Sequence, residues 1–466
     1  MSNGLIAYGT YVPYWRLRRG AITEALGAGS GRGTRAVASY DEDTTSMGVE
    51  AARVALRSAP GVEPSVLFAT TAPAYLDKTN ATAIHAALDL SSTRGAYDMV
   101  GSVRSAAMAM STAASSREPY VVVLSDIRTG LPGGADESAG GDGAAALVFG
   151  EGDPLVETIG GGTATGEFLD RWRAPGDVAS QQWEERFGEF AYLPLAEQAF
   201  ADACKSAGIT PGDIDVLICT GMATRAVKRF AGASGVANVA ADLTDVIGNT
   251  GIAHAPLLLA DVLDRAEPGQ VLAVMTLSDG VDVWLARVTD AITSYRRTTT
   301  VQEQIARGND TLPYASFLTW RGQLQREPPR RPDNDRPAAP PSFRNDAWKY
   351  GFIASTCEAC RTRHLPPQRV CVRCGAVDQV GSERLADVPG TIATYTIDRL
   401  AFSLIPPVVG AVVDFDGGGR FQCELTDVDP DSVKIGDRVE MTFRRLFTVQ
   451  GVHNYFWKAR PMGEQS

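Results

Sequence analysis

The sequence predicts a large α/β domain joined to a smaller module that carries four clustered cysteines and then an all-β barrel. Three observations predict it. Over residues 1 to about 290, short apolar runs (SVLFATTA, YVVVLSDI, DVLICTGM, QVLAVMTLSDG) alternate with stretches whose apolar residues recur at helical spacing. Residues 321–345 lose their large apolar side chains and gather Pro, Arg and Asp (GQLQREPPRRPDNDRPAAPPSF), the composition of a partly extended linker. Beyond it, WKYGFIASTCEACRTRHLPPQRVCVRCGA holds four cysteines, and alternating β-branched runs with a GGG turn follow.

The chain has 466 residues, which at roughly 100–200 residues per domain predicts two to four domains. Hydrophobic residues make up 44%, enough for large cores, yet no run approaches the roughly 20 apolar residues of a membrane span. The opening MSNGLIAYGTYVPYWRLRRG lacks a charged lead followed by a long apolar stretch, so no signal peptide is expected and the expected setting is the cytoplasm. A net charge of −11 argues against general nucleic-acid binding. Seven cysteines, an odd number without a secretory signal, argue against a disulfide framework; Cys204, Cys219 and Cys423 are scattered.

Taken in order, TTSMGVEAARVALRSA, LPLAEQAFADACKSAG and APLLLADVLDRAEPG read as helices, several closed by Gly or Pro. The intervening apolar runs read as buried strands, covered on both faces. YDEDTTSMGVEAARVAL followed by SVLFATTA echoes AYLPLAEQAFADACKSAG followed by DVLICTGM, which suggests a duplicated α/β unit. YDMVGSVRSAAMAMSTA ends a strand, turns at Ser102, Val103 and Ser105, and opens a helix.

Cys357-x2-Cys360-x10-Cys371-x2-Cys374 is the strongest local signal. Each C-x2-C pair turns two thiolates toward one point, and two pairs complete a tetrahedral shell, so a structural zinc ribbon is expected. A closed four-cysteine shell has no open position for substrate. A relic ribbon with free thiols and an iron centre remain the alternatives. Runs such as GTIATYTID, PPVVGAVVDFDGGGRFQCELTDV and RVEMTFRRLFTVQGVHNYFWKAR then predict the small barrel.

Several stretches carry a family resemblance: IAYGTYVPYWRL, YDEDTTSMGVEAARVAL, SDIRTGLPGGADESAGGDGAAALVFG, IGNTGIAHAPLLLADVLDRAEPG and LPYASFLTWRGQL. Through them, residues 1–320 resemble the thiolase superfamily, in particular prokaryotic hydroxymethylglutaryl-CoA synthases and their ketoacyl synthase III relatives. The resemblance implies a duplicated five-layer α/β/α/β/α domain that usually forms a homodimer. After the linker at 321–345, residues 346–380 resemble the zinc ribbon and 381–466 the OB-fold of a module that accompanies thiolases and related synthases. That module implies a coenzyme A thioester ligand and a partner thiolase or other acyl-CoA enzyme, with no nucleic acid and no membrane. An OB barrel by itself would also suit oligonucleotides, a reading the acidic chain disfavours.

The family works through a Glu, a Cys and a His, the thiolate attacking the acyl thioester while the others move protons. The stretch FATTAPAYLDKTNAT puts Thr71 at the Glu position. Aligning on Asp98 and Arg104 puts Val103 at the Cys position, and a shift of one residue puts Ser102 there. CTGMATRAVKRF puts Thr220 at the His position. Asn249 of IGNTG matches a residue that, in ketoacyl synthase relatives, helps to bind the thioester carbonyl. His254 is a candidate substitute acid/base, with helix packing or capping as the plainer role; His85, His364 and His453 fall outside the motifs. Arg225, Lys228 and Arg229 are candidates for CoA phosphates, or else a solvated helix face. Asp126 and Asp142 are expected to be structural. The resulting expectation is an auxiliary acyl-CoA subunit that lacks the catalytic set. The alternative is an active acyltransferase or synthase with altered residues.

Overall fold

The structure is a computed structural model that describes residues 4–27, 31–330, 332 and 334–463. It divides into two compact units, one comprising Met1–Ser39, Met47–Ile84 and Ser91–Leu324, the other Tyr40–Ser46, His85–Leu90 and Gln325–Ser466.

The first unit contains strands β1 (Gly4–Tyr11), β2 (Ser65–Thr70), β3 (Ala96–Val100), β4 (Tyr120–Ile127), β5 (Asp142–Gly150), β6 (Val156–Ala164), β7 (Val216–Gly221), β8 (Val271–Leu277) and β9 (Val281–Val288). Their order is β7-β8-β9-β6-β1-β5-β4-β2-β3. One pairing, Leu5 with Val156, joins two halves of matching topology. From β1 outward the neighbours run antiparallel to β5, antiparallel to β4, then parallel to β2 and β3. From β6 outward they run antiparallel to β9, antiparallel to β8, then parallel to β7. A parallel bridge between Leu217 and Val239 stands where the counterpart of β3 belongs. The internal echo in the sequence is this repeat.

The helices that define the layers are α1 (Thr44–Arg57), α2 (Ser105–Ser115), α3 (Glu185–Ala207), α4 (Thr224–Ala233) and α5 (His254–Leu263). Every residue of α5 is buried, and with Ala106, Ala109 and Ala113 of α2 it packs against strands of both halves in one apolar cluster. Short side chains on α2 let the two sheets close over it. On the outer faces α3 and α4 cover β7, β8 and β9, while α1 lies so close to β1 that a Cβ on Gly9 would meet Ala51 O at 2.4 Å. The result is α/β/α/β/α. One helix departs from expectation: α3 begins at Glu185, not at Leu193, and runs through Pro194. Proline removes one backbone donor, but buried Tyr192, whose hydroxyl accepts from Asp279 N at 3.1 Å, anchors the preceding turn.

In the second unit, strands Arg363–His364, Ile353–Cys357 and Val380–Arg384 form a small sheet in that order around the cysteine loops. Five more strands, Gly390–Asp398, Val408–Phe415, Arg420–Leu425, Val452–Pro461 and Arg438–Val449, close into a barrel in that order. Alternate residues fill it, including Val409, Ala411, Val413 and Phe415 on one strand and Tyr455, Trp457 and Ala459 on another. The GGG turn holds φ of 80°, 104° and 93° at Gly417, Gly418 and Gly419, a conformation that only glycine adopts without strain.

Segment 40–46 supplies this unit with buried acids. Arg444, fully buried, meets Glu42 at 2.7 Å, Asp41 at 3.5 Å and Asp427. Lys458 meets Asp41 at 2.9 Å and Glu424 at 2.7 Å, and Tyr455 Oη donates to Asp43 at 2.6 Å. Burial opposes the Lys458 charge, but Asp41, Tyr40 and Glu424 outweigh it and hold its pKa above the usual lysine value.

Candidate functional site

Strand ends in the first unit bring the family-motif residues around the turn at 249–252. Thr71, just past β2, donates through Oγ1 to Asp126 Oδ1 at 2.8 Å and through its backbone N–H at 2.9 Å. The second Asp126 oxygen accepts from Ile252 N at 3.0 Å. Asn249 Nδ2 donates to Gly221 O at the end of β7 at 3.0 Å, and Asn249 Oδ1 accepts from Gly251 N at 2.9 Å. Thr71 and Asn249 are thus positioned by one turn. Thr220 lies in β7, 5% exposed, with Oγ1 3.4 Å from both Met275 O and Thr276 Oγ1.

Val103 occupies the turn between β3 and α2, and its side chain is buried at 8% exposure. Gly101 N donates to Thr70 O at 3.2 Å, tying this turn to β2. Ser102, half-buried, accepts from Arg104 N at 3.2 Å, and Arg104 is held by Asp282 at 2.8 Å. No acid or base is hydrogen-bonded to Ser102 Oγ among the described residues. His254 is fully buried at the start of α5, with Nδ1 3.3 Å from Thr250 Oγ1. Burial drives its pKa down to about 4, against weaker support from Asp242, so near neutral pH the imidazole is uncharged. Its Nδ1 also lies 3.4 Å from Thr250 N, so the ring is held against the turn that precedes α5.

Beside the turn is a cavity of about 100 Å³, lined in part by Arg128, Asp136, Arg171, Thr224, Arg225 and Asn249. Arg171 grips Asp136 with both Nη atoms, at 2.5 and 3.0 Å. Arg225 pairs with Glu185 at 2.6 Å, Arg229 with Glu189, and Lys228 is exposed. Arg128 donates from Nη1 to Thr71 Oγ1 at 3.2 Å and lies 3.9 Å from Asp126. Arg173 donates to Thr71 O. Asp126 is buried, which raises its pKa despite Arg128 and the hydrogen bonds to Ile252 and Thr71. Asp142 is a structural hub, receiving Arg35 at 3.3 Å, Arg321, and the backbone N–H groups of Ala38 and Arg128. Arg128, Arg171 and Arg173 were not singled out by the motif reading; SDIRTG directs attention to its aspartate, and the other two lie at a two-residue strand, Arg171–Trp172, too short to show a pattern.

In the second unit the Sγ atoms of Cys357, Cys360, Cys371 and Cys374 all lie within 4.8 Å of one another. Cys357 to Cys374 is 3.7 Å and Cys360 to Cys371 is 3.5 Å. A tetrahedron with metal–sulfur bonds of about 2.3 Å has edges of about 3.8 Å, close to these two distances, so the four thiolates are placed to hold a metal ion as a zinc ribbon does. Such a metal would join the two loops and stabilise the fold. The remaining cysteines form no disulfide. Burial raises the thiols of Cys219 and Cys423 to about 12, so neither is a ready nucleophile. His85, His364 and His453 belong to this second unit.

The barrel also carries a cleft of about 690 Å³, lined chiefly by Phe402, Leu404, Phe421, Phe447, Phe456 and Lys458. Its walls come from strands distant in sequence, which is why no contiguous motif marks it. Its volume falls in the range typical of small-molecule sites, roughly 300–1,000 Å³, and an apolar lining with a few charged groups is their usual chemistry.

The two-half fold and the turn at Asn249 define a thiolase-like protein, here fused to a cysteine-cluster and OB-fold module. Comparison with known proteins agrees. The hydroxymethylglutaryl-CoA synthase of Aeropyrum pernix is 30% identical over 343 residues, covering 69% of this chain and 95% of that protein. That of Archaeoglobus fulgidus is 28% identical over 347 residues, covering 69% and 99%. The chain belongs to the hydroxymethylglutaryl-CoA synthase family. A CoA-complexed HMG-CoA synthase structure matches with TM-score 0.57 and 16% identity, covering 68% of this chain and 89% of that one. The 3-oxoacyl-(acyl carrier protein) synthase III of Pseudomonas aeruginosa matches with TM-score 0.55 and 18% identity, covering 62% and 99%; these two establish the fold. Residues 383–444 match the family described as the ChsH2 C-terminal OB-fold domain. No helix among the described residues is long and apolar enough to cross a membrane.

Proposed function

We propose that this protein binds acyl-CoA without carrying out the family's condensation and serves as an auxiliary subunit for a partner thiolase or acyltransferase. The observation that carries the reading is Val103: where the resemblance expects a thiolate, a buried aliphatic side chain stands. A valine has neither a nucleophilic atom nor a transferable proton. Two further features support the reading. Thr71 and Thr220, at the expected acid and base positions, have their hydroxyls engaged with Asp126 and with the Met275 carbonyl. His254 is uncharged and packed, not poised over a cavity.

In this reading the barrel cleft takes the acyl-pantetheine part of a coenzyme A thioester, its phenylalanines covering the chain and Lys458 and Arg445 lying at its polar side. The four cysteines hold zinc, which keeps the ribbon folded and takes no part in chemistry. The chain is a homodimer through its first unit. There, among the described residues, the edge strand β3 pairs with β2 alone, and Tyr97, Val100 and Met108 are exposed at 56%, 45% and 64%.

The test is affinity purification of the full chain with a candidate thiolase, together with calorimetric titration of CoA thioesters. Retention of the thiolase and saturable thioester binding are expected. Sustained condensation by the isolated protein would reject the auxiliary role.

A further inference from the structure

The cavity beside Asn249 has a charge arrangement that the reading above does not use. Four arginines surround it or its wall: Arg128, Arg171 and Arg225 line it, and Arg173 reaches Thr71 behind it. Three carboxylates face them. Asp136 is taken by Arg171 and Glu185 by Arg225, both at hydrogen-bond distance. Asp126, the third, spends its oxygens on Thr71 and Ile252 and lies 3.9 Å from Arg128, too far for a hydrogen bond.

Arg128 is therefore under-used. Its residue is 9% exposed, and among the described residues its guanidinium makes one hydrogen bond, from Nη1 to Thr71. A guanidinium carries five N–H donors in a planar fork that matches a carboxylate. Arg171 spends both Nη atoms on Asp136 and adds positive charge at the cavity wall, while its Nε is buried away from the open space. Burial disfavours the Arg128 charge, and Arg171 and Arg173 repel it further, while Asp126 and Asp136 offset this in part. An anion seated in the cavity would satisfy both the open donors and the excess positive charge. The volume limits its size: about 100 Å³ corresponds to about three waters at roughly 30 Å³ each, room for a carboxylate group and a few further atoms.

We propose that this cavity is a binding site for a small carboxylate, with Arg128 as its principal ligand. The carboxylate is either a free small acid or the far end of a short acyl chain on a CoA thioester bound at the first unit, separate from the one assigned to the barrel cleft; the second source rests on the reading that this protein binds acyl-CoA, the first does not. Where the resemblance expects a glutamate, Thr71 instead accepts a hydrogen bond from Arg128. The local charge is thereby reversed, from a site that supplies a carboxylate to one that receives it.

Isothermal titration of the full chain with acetate, succinate, inorganic phosphate and chloride tests the site, followed by succinyl-CoA and butyryl-CoA. Saturable binding of acetate or succinate over chloride at equal ionic strength is expected. Arg128→Gln should weaken it at least about ten-fold. Should that variant fold poorly, Ala139→Glu provides an independent test. Ala139 is exposed on the cavity wall, and the introduced carboxylate should compete intramolecularly and abolish binding with the melting temperature kept. A preference for succinyl-CoA over butyryl-CoA that disappears in both variants assigns the acyl-chain source; binding of free acids without that preference assigns the free acid. Absence of carboxylate binding in the unmodified protein, tighter binding of phosphate, or unchanged affinity in Ala139→Glu would overturn the proposal. Thioester binding that persists with no preference for succinyl-CoA over butyryl-CoA, while free acids fail, leaves the acyl-CoA reading standing and this one refuted. The reverse result refutes the acyl-CoA reading alone.

Discussion

His254 gives the sharpest stability prediction. Its burial lowers the pKa from 6.5 to about 4. A group whose folded pKa lies below its unfolded value binds fewer protons when folded, so the stability it confers is fully present above pH 6.5 and is lost as pH falls toward 4. Between pH 7.5 and pH 4.5 the two values imply a loss of about 2–3 kcal/mol, at 1.36 kcal/mol per unit. Buried carboxyls with raised values, such as Asp126 and Asp264, act in the opposite direction, so the measurement is made as a difference. Urea denaturation of the protein and of His254→Gln across that pH range should give curves that diverge: the variant loses about 2–3 kcal/mol less on acidification. Parallel curves would refute the argument, because they would mean that His254 is solvated or already charged in the fold.

Three further outcomes follow from the same structure. Arg444→Met strands the buried acids Asp41, Glu42 and Asp427 and should destabilise the second unit by about 3–5 kcal/mol, read as a shifted denaturant midpoint. Metal analysis should return near one zinc per chain, and Cys371→Ser should abolish it and unfold the ribbon; retention of bound zinc in that variant would contradict a four-cysteine shell. Light scattering should report a dimer, and Met108→Glu, which places a charge on the exposed face of α2, should shift the protein toward monomer; a monomeric unmodified protein would remove the proposed edge-strand interface.

Much of the fold can be read in the sequence because its signals are local. Buried strands such as YVVVLSDI announce themselves by composition, the repeat by its echo, and the cysteine cluster by spacing. The rest depends on residues that meet only after folding. Nothing in YDEDTTS indicates that Asp41 and Glu42 neutralise Arg444, some 400 positions later in the chain. The helix read from LPLAEQAFADACKSAG starts too late because the residues before Pro194 carry no clear helical pattern, and the burial of Tyr192 that ties them to the fold is visible only in three dimensions. Within the candidate site, Asn249 is carried by the compact IGNTG motif. Arg128, Arg171 and Arg173 converge from two segments separated in sequence and become a cluster only in three dimensions. The barrel cleft is hidden for a related reason: its aromatic residues alternate with core residues on strands that are paired but not contiguous.

The central claim is that the turn holding Val103 no longer performs acyl transfer. Intact-protein mass spectrometry after incubation of the purified chain with acetyl-CoA and acetoacetyl-CoA, with free CoA release followed in parallel, tests it most directly. The account predicts an unmodified mass and no CoA release above the uncatalysed rate. An acyl adduct mapped to Ser102, accompanied by turnover that Ser102→Ala removes, would contradict it.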